Sequence, residues 1–155
     1  AGRLWEVEHG PMGGDELNLI EKHANYGWPL VTYGVDYTDP ANDAKVWPLN
    51  PDTGHHAGFR KPAFHWIPSL ATHALVYLDT FHERWNGDLL VGTLAAQSIV
   101  RVRLDGDRVL GVEKIPIGRR VRDIAVSGNR MFMLFDGNGF GILTPRDTGN
   151  GKAGD

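Results

Sequence analysis

The chain has 155 residues, 41% of them hydrophobic, enough for a buried core and too many for a largely disordered segment. Its 16 basic and 19 acidic residues are interspersed, for a formal net charge of -3, and no Lys/Arg block could track a phosphate backbone, so nucleic acid is a poor partner. Cysteine is absent, which excludes disulfides and thiolate metal sites, and no apolar run reaches the roughly 18 residues that a membrane-crossing helix needs.

Taken in chain order, the first strand signal is Arg3 to Val7, with no signal-peptide pattern around Ala1 to Trp5. EHGPMGGDELN, from Glu8 to Asn18, follows as a polar, glycine-rich loop, then NYGWP from Asn25 to Pro29 and a Gly- and Pro-rich segment from Asn50 to Pro62 that contains His55 and His56. Further strands are expected over Ala74 to Leu78, Leu89 to Leu94 and Ile99 to Leu104, with a hairpin turn at Asp105-Gly106-Asp107. Val121 to Val126, Met131 to Phe135 and Phe140 to Leu143 complete the set, the last two joined by Asp136-Gly137-Asn138-Gly139. No segment carries a long helical period. The tail is polar and without apolar periodicity, so the folded unit is expected over residues 1–145 and a flexible tail or linker over 146–155.

The Gly-led strands repeat. GRLWEVE starts at Gly2, GDLLVGT at Gly87 and GNRMFML at Gly128, so the second interval is 41 residues and the first is 85, about two periods with one degenerate repeat between them. A period of about 40 to 50 residues made of short antiparallel strands predicts β-propeller blades, here about three. An incomplete propeller leaves open blade edges, which a missing N-terminal half or edge-to-edge homodimerisation would cover. The five tryptophans are expected to pack between blades.

Two constellations carry chemistry. In the first, the carbonyls of Gly10 and Pro11 in an irregular loop, with Asp15 and Glu16 supplying charge, offer the hard oxygen donors that Ca²⁺ prefers. A polar surface loop whose acids only cap turns fits the same residues. In the second, Arg120 and Arg122 flank Val121, and on a regular strand their guanidinium groups share a face suited to an anion, or form a solvated basic face. His55 and His56 lack a second cluster with ligand spacing.

EHGPMGGDELN with NYGWP, followed in order by WIPSLA (Trp66 to Ala71), WNGDLLVGTLAAQ (Trp85 to Gln97) and GRRVRD (Gly118 to Asp123), resembles the glucose/sorbosone dehydrogenase family of six-bladed quinoproteins, up to about Pro145. The resemblance implies the C-terminal half of a pyrroloquinoline-quinone (PQQ)- and calcium-dependent aldose dehydrogenase that oxidises the C1 hydroxyl of a sugar to a lactone. It implies that the Gly10 and Pro11 carbonyls bind the calcium holding PQQ. It further implies that Glu16 and Tyr26 help bind a structural calcium, and that Tyr37, Thr93, Leu94, Arg120 and Arg122 border or contact PQQ. It also implies a periplasmic or secreted protein; such an oxidation needs an electron acceptor, for which a cytochrome c, to which the closing Gly-Lys-Ala-Gly-Asp could lead, or a quinone is expected.

The same resemblance places the family's catalytic histidine upstream of the calcium loop, so the chain by itself is expected not to turn over sugar. Ala95 departs from the family, which commonly has a lysine there, and this favours an alternative in which the chain is a non-catalytic propeller scaffold keeping only a structural calcium.

Overall fold

The computed structural model describes residues 2–34 and 56–146. Ten strands are assigned among them: β1 (Trp5–Glu8), β2 (Asp15–Leu19), β3 (Phe64–Trp66), β4 (Thr72–Tyr77), β5 (Leu89–Thr93), β6 (Ser98–Asp105), β7 (Arg108–Pro116), β8 (Val121–Ser127), β9 (Arg130–Phe135) and β10 (Phe140–Leu143). No helix among the described residues is long and apolar enough to cross a membrane.

The strands form three antiparallel sheets that follow one another along the chain, β1-β2-β3, then β4-β5-β6-β7, then β8-β9-β10. The first strand of the second sheet, β4, lies against both β1 and β8, and β5 also reaches β8. The architecture is all-β, three successive blades of a β-propeller.

Gly87 and Gly128 precede β5 and β9, the second strands of their sheets, and Gly2 precedes β1, which packs on β4 much as β5 packs on β8. One step of the repeat therefore runs from β1 to β5. The degenerate repeat expected between Gly2 and Gly87 centres on residues outside the described set, and the described strands there, β1, β2 and β3, form one sheet.

Strand alternation explains why β5 reads as a continuous apolar run. Leu89 and Val91 face the first sheet, in a cluster with Leu17, Trp66, Val100 and Val102, whereas Leu90 faces the third, among Ile99, Val121, Ile124, Met131 and Met133. A strand buried on both faces needs apolar residues at successive positions. Burying each leucine fully contributes about 2 kcal/mol. Gly92 belongs to the second face, where a Cβ would press on Val121 and Ala74, so the absence of a side chain lets the second and third blades approach.

Three strands were not legible. β2 lies inside the segment expected to be a loop, β3 is only three residues long, and β7 is an edge strand with mostly exposed residues. Of the tryptophans, Trp5 and Trp66 join the first inter-blade cluster and Trp85 the second, as expected. Trp28 instead lies 52% exposed, in a turn outside the sheets. Trp47 lies outside the described residues.

Candidate functional site

One end of the three blades gathers most of the residues singled out above. Glu8 ends β1, and its carbonyl accepts from Thr72 Oγ1 at the start of β4. Thr72 pairs with Thr93 at the end of β5, and Leu94 N donates to Ala71 O at 2.9 Å. Beside Gly92 stands Val121, between Arg120 and Arg122, and Asp136 N beyond β9 donates to Arg120 O at 2.9 Å. The Gly10-Pro11 loop, the Thr93–Ala95 loop and the arginine pair thus share an end.

The Gly10-Pro11 loop is held by close backbone packing. A Cβ on Gly10 would overlap the carbonyl of Gly13, and one on Gly34 would overlap that same carbonyl and the Pro11 ring. Asp15, fully buried at the start of β2, anchors the loop. Its Oδ1 accepts from Gly10 N at 3.0 Å and Ser69 Oγ at 2.7 Å, and its Oδ2 from Leu70 N at 2.8 Å and Thr72 N at 3.2 Å. Both oxygens are occupied by protein donors, so the expected part of Asp15 as a source of charge for a cation is corrected to an organising one.

The opposite face of β2 carries Glu16 and Asn18, both buried, opposite Glu8 and Glu6 of β1. Asn18 Nδ2 donates to Glu6 Oε1 at 2.8 Å, whereas its Oδ1 is buried without a hydrogen-bond partner. Burial first, then the negative charge of Glu8, pushes the Glu16 carboxyl up to about 8, and burial raises Glu8 as well. His56 Nε2 lies 3.3 Å from Glu16 Oε1. The contact lacks hydrogen-bond geometry, and burial lowers the imidazole pKa, so in the bare protein it sets a neutral ring beside a protonated acid. Tyr33 stacks between His56 and His65, at 4.5 and 3.9 Å, and closes this layer.

The arginine pair meets on one acid. Arg120 Nε bonds Asp136 Oδ2 at 2.7 Å and Arg122 Nε bonds Oδ1 at 3.1 Å, and these two hydrogen bonds, Arg122 first, hold the Asp136 carboxyl below its ordinary range. A regular strand was expected to align the two side chains. β8 instead shifts register between Val121 and Asp123, so Arg122 is the extra residue of a β-bulge while Val121 stays buried. Both guanidinium groups are engaged through Nε, and both side chains keep substantial exposure. Asp136, read from the sequence only as a turn residue, is the member of this group that sequence reasoning missed.

Thr93 and Leu94 are buried, and the Thr93 hydroxyl is taken up by Ser98 O at 2.9 Å, so backbone groups rather than side chains are what this loop can present. Ala95 beside them is exposed. The Tyr26 hydroxyl donates to Leu19 O at 2.6 Å and accepts from Glu21 N, which leaves its carbonyl as the oxygen for any cation. Tyr37 and His55 lie outside the described residues. A cleft of about 630 Å³ lined by Arg3, Trp5, Tyr77 and Asp105 sits at the other end of the blades and includes none of the candidate residues.

Residues 1–144 match the Glucose / Sorbosone dehydrogenase family. The aldose sugar dehydrogenase YliI of Escherichia coli (strain K12) is 34% identical over 128 residues, which cover 78% of this chain and 32% of that protein. A crystal structure of a glucose dehydrogenase superposes with a TM-score of 0.80 at 31% identity, covering 93% of this chain and 41% of the other. The PQQ-bound form of an aldose sugar dehydrogenase from Streptomyces coelicolor shares the fold alone, with a TM-score of 0.59 at 22% identity over 86% of this chain and 34% of that one. The chain spans about a third of the curated relative it matches. On a match that runs through every described strand, the chain belongs to the glucose/sorbosone dehydrogenase family.

Proposed function

We propose that this chain is the calcium platform and one arginine clamp of a PQQ-dependent aldose dehydrogenase that oxidises the C1 hydroxyl of its sugar to a lactone. One observation carries the reading: the Gly10-Pro11 loop of the first blade and the Arg120/Arg122 pair of the third, far apart in sequence, lie at the same end of the blades, on either side of the Thr72 and Thr93 strand ends of the second.

The donor set suits a hard cation. Glu16 and Glu8 are carboxyls whose pKa values burial first, and neighbouring acid second, raise, so a bound cation would favour their charged forms, and the Asn18 amide oxygen beside them is unpartnered. Among the described residues no three acidic or histidine side chains could hold the ion together, so backbone carbonyls, with that of Tyr26 among them on the resemblance, would complete its coordination. The Gly10 and Pro11 carbonyls would serve the cofactor's own calcium.

When bound, PQQ with its calcium supplies the hydride acceptor. The chain's residues do the rest of the work assigned here. Arg120 and Arg122 would bind carboxylate groups of the cofactor through the guanidinium nitrogens left free of Asp136, which holds both Nε atoms and so fixes the two forks. The backbone at Thr93 and Leu94 would border its ring system. Removal of the sugar's hydroxyl proton would fall to a histidine base that is none of the residues assigned here, and electrons would leave to a cytochrome c or quinone in the periplasm or outside the cell.

Ala95 favours a second reading, a scaffold that retains calcium without PQQ, because a cation at that place would add an anion contact that alanine cannot make. Turnover separates the two. The longer protein containing this chain, reconstituted with PQQ and Ca²⁺, is expected to reduce a dye acceptor with glucose or another aldose. Calcium uptake with no turnover on any aldose establishes the scaffold.

A further inference from the structure

We propose that Asp15 is a positioning residue that locks the Gly10-Pro11 loop of the first blade and the Leu94-Ala95 loop of the second into one rim, so that the two parts of the cofactor bed move as a unit. The inference rests on the reading above for what the rim holds, but the coupling itself rests on hydrogen bonds.

Asp15 is fully buried, and its four donors come from two separate segments, Gly10 on one side and Ser69, Leu70 and Thr72 on the other. The second segment then holds the next loop. Leu70 O accepts from Ala95 N at 3.1 Å and Ala96 N at 3.2 Å, and Ala71 O accepts from Leu94 N. Between these anchors Ala71 has φ +54, a left-handed conformation that disfavours a residue with a Cβ. Such a conformation persists where surrounding contacts dictate it, and Ser69 Oγ, itself donating to Asp15, accepts Ala71 N at 3.1 Å. One carboxyl group therefore sets the peptide plane before the Gly10 carbonyl and, through a single relay residue, the loop that borders Ala95. Asparagine cannot replace it, because its amide nitrogen would face N–H donors on one side.

The test compares the wild-type chain with Asp15→Asn and Ser69→Ala by amide hydrogen exchange, with Tb³⁺ luminescence as the calcium probe. In Asp15→Asn, exchange is expected to quicken at least 10-fold both at Gly10–Gly14 and at Leu94–Ala96, and Tb³⁺ affinity to fall about 10-fold. Ser69→Ala, which removes one donor and is the safer variant to fold, should show the same paired loosening at about 3-fold. Loosening confined to the Gly10 loop in either variant, or uniform loosening across all strands, overturns the coupling. Paired loosening in a chain whose wild type binds no Tb³⁺ leaves the coupling standing and defeats the calcium reading instead.

Discussion

Replacing Arg120 and Arg122 together by alanine is expected to weaken PQQ binding by about 10³-fold. Each charge-assisted hydrogen bond contributes about 1.5–3 kcal/mol, and two guanidinium groups lose at least two such bonds. The chain should stay folded, because both side chains are substantially exposed and the Val121 core contact between them is untouched. Lysines at both positions should recover only a small part of the loss, since a point charge keeps the attraction but not the fork. The measurement is a PQQ titration of each variant with unchanged melting as the control. An affinity equal to that of wild type would show that the pair is a solvated basic face closed on Asp136.

Calcium should raise the melting temperature of the wild-type chain by roughly 5–10 °C at about 100-fold excess over its dissociation constant, as expected for about 2.7 kcal/mol of linkage in a chain of this size. Glu16→Gln should abolish that rise. The pH dependence follows from the raised carboxyl. In the bare protein Glu16 holds its proton up to about 8, whereas the unfolded chain releases it near 4.5, so the folded state binds more protons through that window and stability falls as pH rises. The loss is on the order of a few kcal/mol. Calcium displaces the proton, so its stabilising effect should grow from pH 5 to pH 8. Thermal melts across that range, with calcium or chelator, check both statements. A calcium effect that is flat with pH, or that survives Glu16→Gln, places the ion elsewhere.

Local pattern was enough for strands whose burial is apolar. β5, β6, β8, β9 and β10 appear within a residue or two of the expected places, because their inward positions are Leu, Val, Ile and Met and the hairpin turns carry Asp-Gly or Gly-Asn pairs. β2 escaped because three of its five residues, Asp15, Glu16 and Asn18, are polar yet buried, and only tertiary partners explain that. The Gly-Pro loop and the arginine pair were singled out largely through resemblance, and the structure places both at one end of the blades. Asp15 and Asp136 were misjudged for a common reason. Asp15 was expected to supply charge to a cation and Asp136 to shape a turn, because their partners, Ser69 to Thr72 in one case and Arg120 with Arg122 in the other, lie far along the chain and outside any local window.

The blade end is a cofactor bed only if quinone binding needs both the metal and the arginines. A titration of the chain with PQQ, followed by quinone absorbance with Ca²⁺ and then with chelator, measures that directly. Saturation at one PQQ per chain with Ca²⁺, reduced at least 10-fold by chelator, is the predicted result. Calcium binding without any quinone uptake would contradict it.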